Sequence, residues 1–375
     1  MPRIMSRIRH WGLGAFALLA SSVAALAAPT EIVDAVGRKV TVDLPVKRLA
    51  VNFNFEEFTA VAGVEGWRKV VGISRAPWEG WRPLIFDRYK AVIPNLAAMP
   101  DIGHTDDNSF SAEKVIGLKP DVLLMSDWGY KSAKTQMGQI EAAGIPVVVI
   151  DYNAQLLDRH LASTRALGKV MGQEGRAEEL ASLYERQYRD ILERVARAKA
   201  AGAPTKTVYV ELGRDGADTI GNTYNNTMWG AIVTALGANN LATGKIPGPW
   251  GPLNAEAVIA GNPDLILFAS SSWVGKTRAV RTGYDVAPEE TRASLKPYAE
   301  RPGWADIKAV RAGEINAIEH GLARTLYDFT AMQYLAKRLY PEQFADIDPV
   351  ANFKAYHEKY LPIAFGGTWM LTLRP

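Results

Sequence analysis

Five tryptophans, Trp78, Trp81, Trp128, Trp250 and Trp273, fall in short loops rather than inside regular elements. Cationic side chains stand near them or in comparable loops: Arg82, Arg214 and Arg324. Asn54, Tyr152, Tyr224 and Tyr327 occupy similar positions. Rigid aromatic walls with a few guanidinium groups suit a large, planar, partly anionic small molecule. The ring faces cover it, and each guanidinium fork meets an oxyanion with two parallel hydrogen bonds. The competing reading of any one ring is a cap on the core.

Histidine is scarce, at five. His104 and His320 lie in loops that follow apolar runs, and as neutral imidazoles they could ligate a metal. The plainer reading is a hydrogen-bonding loop histidine. His160 and His357 fall in helical patterns and read as structural or exposed. A metal cage built by protein alone needs a denser set of His, Asp, Glu or Cys. Enzyme motifs fail: there is no G-x-S-x-G, no H-E-x-x-H, and no strand followed by G-x-G-x-x-G. The VGKT stretch at Val274–Thr277 has Ser270 where a phosphate loop needs its first glycine. A secreted α/β hydrolase, whose catalytic groups meet only in three dimensions, stays open as the alternative class.

These residues share a context. The runs LAVNF (Leu49–Phe53), VVGI (Val70–Ile73), VLLM (Val122–Met125) and VVVI (Val147–Ile150) alternate with helical patterns. VYVEL (Val208–Leu212), LILF (Leu265–Phe268) and INAI (Ile315–Ile318) repeat the scheme. Continuous apolar strands alternating with helices predict an α/β fold of two lobes, each with a parallel sheet covered on both faces. Small molecules bind such sheets beyond the carboxyl ends of the strands, where the residues above lie. Between the two series, Leu180, Leu183, Tyr184, Tyr188, Ile191, Leu192 and Val195 keep helical spacing. They predict one long helix from Glu174 to about Ala201, stopped by Gly202 and Pro204. The expected division is a lobe over 28–170, the helix segment over 171–203 and a second lobe over 204–375.

The chain has 375 residues, 48% of them hydrophobic, enough for two large cores. A formal net charge of +3 argues against a nucleic-acid partner. Arg3, Arg7 and Arg9 precede a short apolar run and the cleavage pattern Ala25-Leu26-Ala27. Residues 1–27 read as a secretory signal peptide rather than a membrane anchor, since a span needs ~20 apolar residues. The sequence contains no cysteine, so disulfides and a lipidated cysteine are both excluded. An exported, periplasmic protein without a lipid anchor is expected.

One short unit occurs twice. SAEKVIGLKPDVLL begins at Ser111 and NAEAVIAGNPDLIL at Asn254. Each offers an N-cap, a glutamate in the first turn, a proline stop and an aspartate leading into a strand. A generic helix-to-strand turn would also account for either copy alone.

In order, EIVDAVGRKVTVDLPVKRLAVN, the two repeat copies flanking the long helix, GWADIKAVRAGEINAI and HGLARTLYDFTAMQYLAKRLYPEQF span nearly the whole chain. Together they resemble the periplasmic substrate-binding proteins of ABC importers for ferric siderophores, haem and cobalamin. The resemblance implies two Rossmann-like lobes bridged by one rigid helix, with the ligand in the cleft between them. It implies an inner-membrane ABC permease as partner and no chemistry beyond capture and release. It also implies that one exposed glutamate per lobe, here Glu113 and Glu256, docks on the permease; a carboxylate serving only the helix dipole is the plainer role. A ferric siderophore leads as cargo, with haem, a corrinoid or a nickel chelate as alternatives. A monomer without a resident cofactor is expected. The insertion from Gly275 to Trp304 reads either as a lid or as a surface loop, and the tail from Ala364 has no assigned element.

Overall fold

Short runs of Val, Ile and Leu bounded by polar residues become strands buried on both faces, and that is how the two sheets form. The computed structural model describes residues 28–374, so the expected signal peptide lies outside the described residues. A hairpin of β1 (Ala28–Val33) and β2 (Lys39–Leu44) comes first. Then β3 (Leu49–Val51), β4 (Val70–Ile73), β5 (Val122–Ser126) and β6 (Val147–Ile150) form a parallel sheet of order β4-β3-β5-β6.

The second half contains β7 (Thr207–Leu212), β8 (Asn222–Tyr224), β9 (Asn239–Asn240) and β10 (Trp250–Pro252). After these come β11 (Leu265–Ser270), β12 (Ile315–Glu319) and β13 (Met370–Thr372). Its sheet runs β9-β7-β11-β12-β13, parallel except for β13, while β8 and β10 pair separately. The two sheets correspond strand for strand: β4, β3, β5, β6 against β9, β7, β11, β12.

The repeated unit is the same structure twice. Ser111 Oγ accepts from the Lys114 amide at 3.2 Å, and Asn254 Oδ1 accepts from the Glu256 amide at 2.8 Å. The helices Ala112–Leu118 and Ala255–Gly261 each end in a left-handed residue, Lys119 (φ 48) and Asn262 (φ 41), before the proline. Asp121 Oδ2 then accepts from the Lys47 and Arg48 amides, and Asp264 Oδ2 from the Thr207 amide. Each aspartate therefore clamps the start of the neighbouring strand, β3 or β7.

The predicted long helix runs Glu174–Ala200, 27 residues with Leu180, Tyr184, Ile191 and Val195 buried. At 1.5 Å per residue it is roughly 40 Å long. It packs on the Leu157–Met171 helix of the first half and the Phe329–Leu339 helix of the second. The chain passes from one sheet to the other once, through this segment.

Two stretches left open by the sequence have firm places. Most of Gly275–Trp304 is packed: after an exposed stretch over 275–278, Val280, Tyr284, Leu295, Tyr298 and Trp304 are buried and Pro288–Ala299 is a helix. Beside them Arg301 forms two bonds of 2.7 Å to buried Glu211. The tail supplies β13, too short to show a strand pattern in sequence.

Candidate functional site

A cavity of about 360 Å3 opens where the carboxyl ends of both sheets face each other. The first half contributes Trp81 and Arg82 from the segment after β4, Trp128 after β5 and Asn153 after β6. The second half contributes Arg214 after β7, Tyr224 on β8 and Trp250 on β10. Trp273 follows β11, and His320 and Arg324 follow β12.

Aromatic groups form the wall on the first half. Trp128 meets Phe53 edge to face at 4.5 Å, and its Nε1 donates to Asp106 Oδ1 at 3.2 Å. Trp81 packs edge to face on His104 at 5.2 Å. The Arg324 guanidinium arrives from the second half and lies 5.2 Å from the Phe53 ring and 5.7 Å from Trp81. It is buried, and its Nε has no hydrogen-bond partner. Burial, then the charge of Arg82, lowers its pKa from the usual guanidinium value. On the far rim Trp250 is 50% exposed and free to lie against a bound molecule.

Below the cavity a charged floor joins the two halves. Arg82 Nη1 donates to Glu56 at 2.6 Å, and Arg82 Nε lies 3.3 Å from Glu319 of the second half. The Arg82 guanidinium rests so close to Gly321 that a Cβ there would sit 2.6 Å from it and would push the guanidinium aside. Glu57 accepts from the Leu326 amide at 3.1 Å, again across the halves. Burial, then the neighbouring Glu56, pushes the Glu57 carboxyl up to about 8.

Five of the residues expected at the site do not line this cavity. The turn Ala76–Gly80 sends Trp78 inward, stacked on Phe55 at 4.4 Å, while Trp81 faces out. Tyr152 is buried with its hydroxyl 3.0 Å from Thr164 Oγ1. Tyr327 is buried against Phe353 and donates to Glu56. Asn54 adopts φ 60 and donates to the Arg324 carbonyl, beside a void of about 10 Å3 that fits roughly one water. His104 is buried behind Trp81, with neither ring nitrogen hydrogen-bonded. His104 and His320 therefore do not face each other across the cavity. Among the described residues no three His, Cys, Asp or Glu converge on a metal position.

Glu319 and Ser271 were missed, although both directly follow or end a strand. Ser271 Oγ donates to Glu319 Oε1 at 3.2 Å. The strand-end rule that found His320 would have found them. Asn153 also lines the cavity and follows β6, within reach of the same rule; Met228 and Asp107 line it without a signal in sequence.

The comparisons with known proteins decide the class. A profile described as "Periplasmic binding protein" matches residues 60–320. The chain belongs to the periplasmic binding protein family. It is a substrate-binding protein of transport and not an enzyme. The crystal structure of a TroA-like periplasmic binding protein, FepB of Veillonella parvula, superposes with a TM-score of 0.84 at 33% identity, over 92% of this chain and 99% of that one. The molybdate-binding protein MolA of Haemophilus influenzae is 25% identical over 92% of this chain and 94% of its own. An ABC transporter substrate-binding lipoprotein of Bacillus subtilis, YvrC, is 24% identical over 85% of this chain and 88% of its own. Among the described residues no helix of this binding protein is long and apolar enough to cross a membrane.

Proposed function

We propose that this binding protein captures a metal chelate, a ferric siderophore first among them, and delivers it to an inner-membrane ABC permease. The observation that carries the reading is the buried, unpaired guanidinium of Arg324 inside a cavity walled by Trp81, Trp128, Trp250 and Trp273. Flat rings accept the faces of a chelate, and the guanidinium accepts its negative charge. The family supplies the transport role. Trp81, Arg82, Trp128, Arg214, Tyr224, Trp250, Trp273, His320 and Arg324 are the residues assigned to contact with cargo. A compact oxyanion such as molybdate, the ligand in the name of the Haemophilus relative, is the second reading, favoured by the same guanidinium.

Delivery uses the repeated unit. Glu113 and Glu256 are exposed at the starts of equivalent helices, one in each lobe. Two equal handles fit a permease with two equal halves. We divide the chain into lobes 28–170 and 204–375 joined by 171–203, with residues 1–27 as an export signal and the mature protein free in the periplasm.

Intrinsic tryptophan fluorescence tests the cargo, titrated with ferric siderophores, their iron-free forms, haem, cobalamin and molybdate. Saturable one-to-one quenching by a ferric chelate alone supports the reading; binding of haem, cobalamin or molybdate alone replaces the cargo. Double charge reversal, Glu113→Lys with Glu256→Lys, should abolish uptake in cells and leave affinity unchanged. A loss of affinity in that variant would remove the docking role.

A further inference from the structure

The two cavity residues that follow β12 specify more than general attraction for anions. Trp229 Nε1 donates to His320 Nδ1 at 3.3 Å, and the Tyr224 hydroxyl lies 3.4 Å from the same nitrogen. An indole nitrogen only donates, so Nδ1 must present its lone pair and the ring proton must sit on Nε2. Burial, with the charges of Arg324, Arg82 and Arg214, holds the His320 pKa well below its usual value and keeps the ring neutral. Among the described residues Nε2 has no partner, and the ring lines the cavity. A nitrogen that carries its proton donates a hydrogen bond; it does not bind a metal.

Arg324 supplies the second donor group. Its side chain is 7% exposed, lines the same cavity, and is flanked by rings rather than carboxylates. The acids whose charge reaches it are engaged elsewhere: Glu319 and Glu56 pair with Arg82, and Asp106 accepts from the Trp128 indole, so among the described residues none forms a salt bridge to Arg324. A guanidinium kept buried without a direct salt bridge carries a desolvation cost that an arriving anion relieves.

We propose that Arg324 and the Nε2–H of His320 form a subsite for an anionic oxygen group of the cargo, and that His320 never ligates the metal. Cargo then enters with its metal coordination already complete. The inference rests on the proposed binding role of the cleft and narrows it. The anionic oxygen belongs either to a chelating carboxylate or catecholate or to a free oxyanion; the experiment separates these.

The probes are a ferric tris-catecholate, ferric citrate, haem and sodium molybdate, followed by fluorescence and visible absorption. Arg324→Met should weaken whichever probe binds by on the order of ten- to a hundredfold. His320→Gln keeps an N–H donor near the Nε2 position and should stay within about threefold of wild type, while His320→Ala should lose about tenfold. The absorption bands of a bound chelate should match those of the free chelate. If Gln loses as much as Ala, and wild type shows a band shift absent from both, His320 ligates the metal and the subsite is overturned. Arg324-dependent binding of molybdate without any chelate would keep the subsite and end the chelate reading.

Two measurements need no cargo and decide the subsite even if no probe binds, the outcome that would itself end the chelate reading. Nitrogen-15 spectra of the empty protein should show His320 protonated on Nε2 only; a proton on Nδ1 overturns the inference. Arg324→Met should melt no lower than wild type, because it removes an unpaired buried charge. A clear fall in Tm would make Arg324 a structural residue instead.

Discussion

Burial of a single carboxyl gives the protein a pH signature. Glu57 has its pKa raised to about 8 from an ordinary 4.5, through burial first and Glu56 second. The folded state therefore holds a proton that the unfolded chain releases. The stabilisation is complete below about 4.5 and is lost as pH rises through about 8. Glu57→Gln, which stays neutral and still accepts from the Leu326 amide, should melt above wild type at alkaline pH and flatten the decline with pH. Calorimetry across that range checks it, and parallel curves for the two proteins would refute it. At the rim, Trp250→Ala should change stability by less than about 0.5 kcal/mol, since the ring is half exposed. Titration of the same variant should show binding of the cargo weakened about three- to tenfold.

Individual side-chain directions were the least legible part of the sequence. Trp78 and Trp81 sit three residues apart in one loop, yet one is core and the other faces the cavity. Loop residues have no fixed period, so spacing alone could not separate them. Tyr152 and Tyr327 were placed correctly after strands, but their hydroxyls find partners within the packed interior. Conversely Arg82, Arg214 and Arg324 reach the cavity, because a guanidinium at a strand end is costly to bury without an anion or a solvent path.

At the level of elements, continuous apolar runs located the longer strands of both sheets, and the apolar stripe located the long helix to within a residue. The three-residue β13 is too short to show a period, and the insertion hides a 12-residue helix, Pro288–Ala299, among charged residues with only Thr291, Leu295 and Tyr298 buried. The aspartates of the repeat have a role no periodicity shows: each ties the helix-to-strand turn to the next strand. Asp264→Ala should cost about 1–3 kcal/mol, leaving the Thr207 amide without its acceptor. Ser111→Ala should cost about 1 kcal/mol through the lost N-cap. Chemical denaturation measures both; equal and negligible losses would mean the turns hold without these contacts.

For the whole molecule, the long helix packs on both halves and Arg82, Glu57 and Asn54 reach across between them. Such a frame leaves little room for a hinge. Small-angle scattering should give nearly the same radius of gyration with and without bound cargo. A large compaction would show that the cross-contacts break in solution.

The charged floor in which Arg82 lies against Gly321 has a further consequence for traffic at the membrane. If the halves are already latched when the cleft is vacant, and Glu113 and Glu256 are the docking handles proposed above, their separation tells a permease nothing about occupancy. Vacant and laden copies then queue for the same berth on equal terms. Adding excess vacant protein to permease vesicles should slow import in proportion to its share of the pool, and import that ignored the excess would mean occupancy is read from some other surface.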